Sequence, residues 1–133
     1  MSEILLAVDD EMARVERQIQ TVLELPIETD AVSVTVLHVF SDNPSGASVS
    51  QLQTARAAEE QLEAAGIDVN LAERSGEPSS EILSYAEQMD ADMICLAGRN
   101  RSPTGKALFG SVTQDVILST DRPVLIAGRS KAD

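Results

Sequence analysis

Five apolar residues, Ile4-Leu5-Leu6-Ala7-Val8, stand near the start of this sequence and are followed at once by Asp9. An apolar run this short is typical of a strand that is buried on both faces, as in a parallel sheet covered by helices. Residues 12–23 then carry apolar side chains at helical spacing, and Pro26 is unfavourable for a longer helix. The chain therefore opens with a strand followed by a helix, the repeating unit of α/β proteins.

The same alternation of strand and helix patterns continues along the chain. Four more strands are predicted at 32–40, 67–71, 93–97 and 124–127, and three more helices at about 50–65, 78–89 and 109–119. The strand at 67–71 alternates apolar with polar residues, which is typical of an exposed edge strand. Five strands and four helices in alternation predict an α/β fold with a five-stranded parallel sheet, doubly wound and Rossmann-like, in three α/β/α layers.

Length and charge limit the classes of protein to consider. The 133 residues contain no linker rich in Pro, Gly or Ser, so we expect one domain, residues 1–133. The 22 acidic against 10 basic residues give a net charge of -12, which disfavours nucleic acid as a partner. No apolar run reaches the roughly 18 residues that span a bilayer, so we expect no membrane partner and a cytoplasmic location. The excess of acid resembles halophilic proteins, although an ordinary acidic cytosolic protein would have the same sign of charge.

One segment reverses the sign of the charge. Residues 98–111 carry Arg99, Arg101 and Lys106 without an acid, and glycines in the segment let backbone N–H groups approach an oxyanion closely. The segment predicts a site for a phosphate-type anion, with further free N–H groups at the start of the next helix. The alternative is an exposed loop whose basic residues offset neighbouring acids.

Asp9 ends the first predicted strand and Gly98 ends the fourth, so a topological switch between these strands would bring the two residues together. An acid at that edge can accept hydrogen bonds from a ribose hydroxyl or a base amine, while the basic segment attracts phosphate. An adenosine nucleotide carries both kinds of group, with hydroxyls and a base amine for the acid and phosphate for the basic segment. Asp9 could equally be the N-cap of the first helix.

Glycine spacing excludes two other phosphate motifs. A P-loop needs two glycines five apart and then Lys with Ser or Thr, but Gly98 and Gly105 are seven apart and Lys106 precedes Ala107. The glycine fingerprint of NAD and FAD proteins should follow the first strand, where the acidic residues 9–11 stand instead.

Six landmarks occur in a fixed order along the chain. They are Ala7-Val8-Asp9, Leu37-His38-Val39, Gly76-Glu77-Pro78, Ala91-Asp92, Gly98 with Gly110-Ser111-Val112-Thr113, and Asp121-Arg122-Pro123-Val124-Leu125-Ile126. Together they resemble the universal stress protein (UspA-like) family from about Ile4 to Gly128. The resemblance implies the adenine nucleotide alpha hydrolase-like version of the predicted fold, and ATP, ADP or AMP as ligand, with or without Mg²⁺.

The resemblance also implies contacts for particular residues. In nucleotide-binding members the strand-one aspartate contacts adenosine, which here would be Asp9 flanked by Ala7 and Val8, and the backbone of Val39 would meet the base. The amides and hydroxyls of the loop and of the next helix would hold phosphate. These residues would be Ala97, Gly98, Asn100, Arg101, Gly110, Ser111, Val112 and Thr113.

This phosphate loop is a variant of the family pattern. Arg101 occupies the position of the second glycine, and the interval from it to Gly110 is one residue short. An arginine there could block a phosphate by its bulk or replace amide donors with a charge-assisted fork. The family includes members that bind ATP and members that do not.

The sequence favours a nucleotide-binding stress protein that acts as a sensing or signalling module. The alternative is a dimeric interaction scaffold that binds no nucleotide. We expect no enzyme beyond slow ATP hydrolysis, because His38 lies on an apolar strand with no nucleophile placed beside it by a motif. The acids at 9–11 are weak evidence for a metal site, and we assign none. The resemblance implies a homodimer through the last strand, residues 124–127, and an unidentified protein partner.

Overall fold

The computed structural model describes residues 1–41, 46, 48–98 and 110–128, and within them strands and helices alternate as predicted. The strands and helices are β1 Ser2–Ala7, α1 Met12–Leu23, β2 Val32–Phe40, α2 Gln53–Ala64, β3 Asp68–Ser75, α3 Pro78–Met89, β4 Met93–Ala97, α4 Ser111–Ser119 and β5 Val124–Ala127. Short 3₁₀ turns lie at Thr29–Ala31 and Val49–Gln51.

The sheet confirms the predicted doubly wound architecture. Its strands lie in the order β3-β2-β1-β4-β5, and each neighbouring pair is parallel. The chain moves outward from β1 to β3 and then crosses to the other side of β1 to form β4. The direction of winding therefore reverses between β1 and β4, and parallel sheets of this kind bind ligands at such a reversal.

The residues of β1 show why the first apolar run has no polar member. Ile4 and Leu6 pack into the core formed with α1 and α2, whereas Leu5 enters the opposite core with α3 and α4. All three side chains are buried. Positions 4–6 of a strand at the centre of a three-layer fold have no face in contact with water and are therefore apolar, whereas Ser2 and Glu3 at its start are only half-buried.

Two predicted helix starts are wrong in detail. The N-cap of α1 is Glu11 rather than Asp9, and the Glu11 side chain makes no capping hydrogen bond. The predicted helix at about 50–65 is divided, because a 3₁₀ turn ends before Leu52, whose backbone is extended, and α2 begins at the next residue. Gly66 follows the C-cap of α2, with φ of +90° that suits glycine.

β3 differs from its prediction at both ends. β3 continues to Ser75 instead of ending near residue 71, because it pairs with β2 as far as Phe40. It lies at the edge of the sheet, as its alternating pattern indicated. The predicted start of the fourth helix at Phe109 falls outside the described residues. None of the described helices is both long and apolar enough to cross a membrane.

Candidate functional site

A cleft of about 240 Å³ opens at the carboxyl ends of β1 and β4. It brings together most of the described residues that the sequence assigned to a nucleotide. These are Ala7, Val8, Asp9, Val39, Ala97, Gly110, Ser111, Val112 and Thr113. Gly98 is buried beside it and donates its N–H to the Ala127 carbonyl oxygen at 3.0 Å, while Asn100 and Arg101 lie outside the described residues.

A buried amide forms the floor of this cleft. β1 and β4 are paired as far as Leu6 and Cys95, and the side chain of Gln18 on α1 lies where they separate. Its Nε2 donates to the carbonyl oxygens of Ala7 at 2.8 Å and of Cys95 at 3.4 Å. Sequence reasoning missed Gln18, although a polar residue within the apolar stripe of α1 was a signal for it.

The turn after β1 is held by side chains from three elements. The carbonyl oxygen of Ala7 accepts from Gln18, that of Val8 accepts from His38 Nδ1 at 2.8 Å, and that of Asp9 accepts from the hydroxyl of Thr54. A carbonyl can only accept, so Nδ1 of His38 carries the proton. His38 therefore positions the turn.

Asp9 itself is engaged by two neighbours. Its Oδ1 accepts from the Glu11 N–H at 3.0 Å, and its Oδ2 accepts from Arg14 Nε at 2.8 Å. Arg14 also pairs with the Glu11 carboxylate, with 2.7 Å between Nη2 and Oε2. Asp9 is thus neither a helix cap nor an isolated acid. Sequence reasoning missed Arg14, which its spacing from the two acids just before α1 could have indicated.

The opposite side of the cleft is the N-terminus of α4. Gln114 makes the first hydrogen bond of this helix, to the Gly110 carbonyl oxygen at 2.9 Å, so the N–H groups of residues 111–113 have no acceptor within the helix. Gly110 offers no side chain to cap them. The partial positive charge of a helix N-terminus makes this an anion-binding position.

One predicted phosphate contact needs correction. The hydroxyl of Thr113 is buried and donates to the Ala97 carbonyl oxygen at 3.0 Å, so its proton is committed to the end of β4. The backbone N–H of Thr113 is the donor that remains for an anion.

A second helix N-terminus also borders the cleft but is already capped. Pro78 of α3 lines the cleft, and the Glu77 carboxylate accepts hydrogen bonds from the N–H groups of Ser79 and Ser80. The bond from the Ser80 N–H, followed by those from the Ser80 and Ser79 hydroxyls, lowers the pKa of Glu77 to about 2. An anionic group of the protein thus occupies the start of α3, whereas Gly110 makes no side-chain capping hydrogen bond at the start of α4.

No metal site is assembled in the part of the chain that the structure describes. There, no three side chains of His, Cys, Asp or Glu converge.

Comparison with known proteins agrees with this architecture. The family model described as "Universal stress protein family" matches residues 1–128. The stress response protein NhaX of Bacillus subtilis is 36% identical over 59 residues, which are 44% of this chain and 34% of that protein. A universal stress protein of Mycolicibacterium smegmatis is 32% identical over 68 residues, or 50% of this chain and 52% of the relative. The alignments thus span a third to a half of these curated relatives.

Solved structures cover the chain more fully. A universal stress protein of Archaeoglobus fulgidus aligns with a TM-score of 0.73 and 28% identity, covering 95% of this chain and 98% of that one. A universal stress protein family protein from Arabidopsis thaliana, solved with AMP bound, aligns with a TM-score of 0.74 and covers 100% of this chain and 95% of that one. The latter pair is 16% identical, so it shows the shared fold.

Proposed function

The chain belongs to the universal stress protein family, and we propose that it is a single-domain member that binds an adenine nucleotide as a sensing or signalling module in the stress response. One observation carries the proposal: a single cleft at the winding reversal has a carboxylate turn on one side and an uncapped helix N-terminus on the other. The Arabidopsis relative with AMP bound supports adenine as the base.

The adenosine end would be formed by Asp9 and the backbone of Val39. β1 pairs with β2 as far as Leu37, whose carbonyl oxygen accepts from the Val8 N–H at 2.9 Å. Alternate residues of a strand direct their backbone groups to the same side. Val39 is the next such residue, and its N–H and C=O point past the end of β1 toward the cleft. They are available to the edge of a purine.

The phosphate end would be formed by α4. Its first N–H groups and the positive end of its dipole stabilise negative charge, whereas α1 begins among Asp9, Asp10 and Glu11, which repel it. The charges of the two ends therefore orient a nucleotide with its sugar toward β1 and its phosphates toward α4.

Binding rather than turnover is the function we favour. His38 is the one histidine of the chain, and its Nδ1 donates to the Val8 carbonyl oxygen, so the observed contact of its ring is a structural one. For this reason we rank slow ATP hydrolysis behind nucleotide binding.

Thermal unfolding with AMP, ADP and ATP tests the proposal, with GMP as the matched control. A ligand at about 100 times its dissociation constant stabilises the folded state by about 2.7 kcal/mol. We propose that the net charge of -12 is adapted to high salt, so the measurement is made in low and in high KCl. If no adenine nucleotide raises the unfolding temperature in either buffer, the nucleotide-free scaffold is the better description.

We also propose that two copies associate through β5. This strand has β4 as its neighbour at the edge of the described sheet, and Leu118 on the preceding helix is 75% exposed. An open edge and an exposed leucine are features that a second copy can cover. Sedimentation should show a dimer that Leu118→Glu weakens and that Gln114→Glu, the same charge at an exposed polar position of α4, leaves intact. A monomeric wild-type protein would refute the pairing.

A further inference from the structure

Arg14 contributes a fixed positive charge to the adenosine end of the cleft. Its side chain is 27% exposed and lines the cleft, with Nε on Asp9 and Nη2 on Glu11. These nitrogens belong to one rigid plane, so the two contacts together fix the orientation of the guanidinium.

The consequence for Asp9 is a carboxylate held at both oxygens. Oδ2 accepts from Arg14 and Oδ1 accepts from the Glu11 N–H, while the side chain remains 44% exposed at the cleft. Each carboxylate oxygen can accept a further hydrogen bond, so the contacts orient Asp9 without using up its acceptor capacity. An exposed carboxylate without such contacts samples several rotamers, and a ligand must then immobilise it.

The charges around this group do not point to a different task for Arg14. Asp9, Asp10 and Glu11 surround the start of α1, and the two described nitrogen contacts of Arg14 are made to two of these acids. The contacts of Arg14 use Nε and Nη2, at 2.8 and 2.7 Å from the two carboxylates, so its remaining N–H groups lie beside negative charge, whereas the N-terminus of α4 offers backbone donors that are free of intrahelical bonds.

We propose that Arg14 is a positioning residue that holds the Asp9 carboxylate ready to accept a hydrogen bond from a ribose hydroxyl. The inference rests on the nucleotide-binding function proposed above and adds a determinant for the sugar. If it is right, the loss of affinity caused by substituting Arg14 must depend on the presence of Asp9 and of the ribose hydroxyls of the ligand.

Calorimetric titration of wild-type protein and of Arg14→Gln tests this requirement with AMP, adenosine and 2′,3′-dideoxyadenosine monophosphate. We expect the variant to bind AMP and adenosine about fivefold more weakly, which corresponds to the loss of one pre-ordered side chain. Dideoxy-AMP lacks both ribose hydroxyls, so its affinity should be the same for the two proteins. In an Asp9→Asn background, Arg14→Gln should have no further effect on AMP binding.

Two further variants control for charge and folding. Arg56→Gln removes the same charge from an exposed position of α2 and should leave AMP affinity unchanged. Arg14→Lys keeps the charge but cannot make both contacts from one plane, so its affinity should lie between those of wild type and Arg14→Gln. It also provides the test if Arg14→Gln proves to be unfolded by circular dichroism.

The outcomes separate this inference from the proposed function. If wild-type protein binds no AMP, both are overturned. If it binds AMP and Arg14→Gln binds equally well, the positioning role alone is refuted. A loss seen with AMP and dideoxy-AMP but not with adenosine would show that Arg14 contacts phosphate instead, and an equal loss with all three probes would show that the ribose hydroxyls are not its target.

Discussion

Replacing Ser111 with proline removes one backbone N–H from the proposed phosphate site without disturbing the helix. Ser111 is the first residue of α4, and the preceding Gly110 has φ of -66° and ψ of 163°. Proline is favoured at the first helical position, and an extended conformation is the one required of the residue before it. We therefore expect the ligand-free variant to be as stable as wild type, or up to about 1 kcal/mol more stable.

The same substitution should weaken nucleotide binding strongly. A hydrogen bond to a charged group contributes about 1.5–3 kcal/mol, and 1.4 kcal/mol corresponds to a factor of ten, so the dissociation constant for AMP should rise about ten- to a hundredfold. Ser111→Ala is the matched control, because it removes the hydroxyl but keeps the N–H. Its affinity should stay within about threefold of wild type.

Isothermal titration with AMP at constant ionic strength, combined with urea unfolding of the ligand-free proteins, measures both effects. Equal AMP affinity for wild type, Ser111→Ala and Ser111→Pro would refute the assignment of phosphate to the start of α4. A loss of more than about 2 kcal/mol in ligand-free stability on Ser111→Pro would instead show that Ser111 is not the first helical residue.

Three further predictions concern the supports of the cleft. Gln18→Leu leaves the Ala7 and Cys95 carbonyl oxygens without their amide donor, so the free energy of unfolding, measured by urea denaturation, should fall by about 1–3 kcal/mol. The control Gln20→Leu, at an exposed position of the same helix, should change this free energy little. The pKa of Glu77 is lowered from 4.5 to about 2 in the folded state, so its ionised form contributes stability above about pH 4.5 that is lost as the pH falls toward 2. In an acid titration, the free energy of unfolding of Glu77→Gln should therefore fall less steeply than that of wild type. Parallel curves of unfolding free energy against pH would contradict the capping role of Glu77. Burial raises the pKa of the Cys95 thiol to about 12, so Ellman's reagent should react with this thiol at pH 8 only as urea unfolds the protein. Rapid reaction in buffer without urea would show that β4 is accessible to the reagent.

The order of elements was predictable because each strand and helix is identified by local spacing. β2, β4 and β5 begin and end where the sequence pattern indicated. Errors occurred where a distant partner decides the boundary. β3 extends to Ser75 because it pairs with β2 as far as Phe40. The sequence of residues 72–75 does not by itself indicate this pairing.

The location of the site was also predictable, through the rule that parallel sheets bind ligands where the winding reverses. This rule placed Asp9 beside the segment that begins at Gly98, and the structure has Asp9, Ala97 and Gly110 lining one cleft. The residue-level roles assigned to the site remain predictions, and the roles of Asn100 and Arg101 rest on sequence alone.

Sequence by itself determined the alternation of elements, the two-sided burial of β1 and the edge of the sheet at which the cleft opens, since these depend on hydrophobic period and chain order. Tertiary structure decided which polar groups are still available there. Thr113 uses its hydroxyl proton on β4, Glu77 caps α3, and Arg14 orients Asp9. A side chain's hydrogen-bond partner depends on distances of about 3 Å between segments far apart in the chain, and no spacing along the sequence specifies those distances.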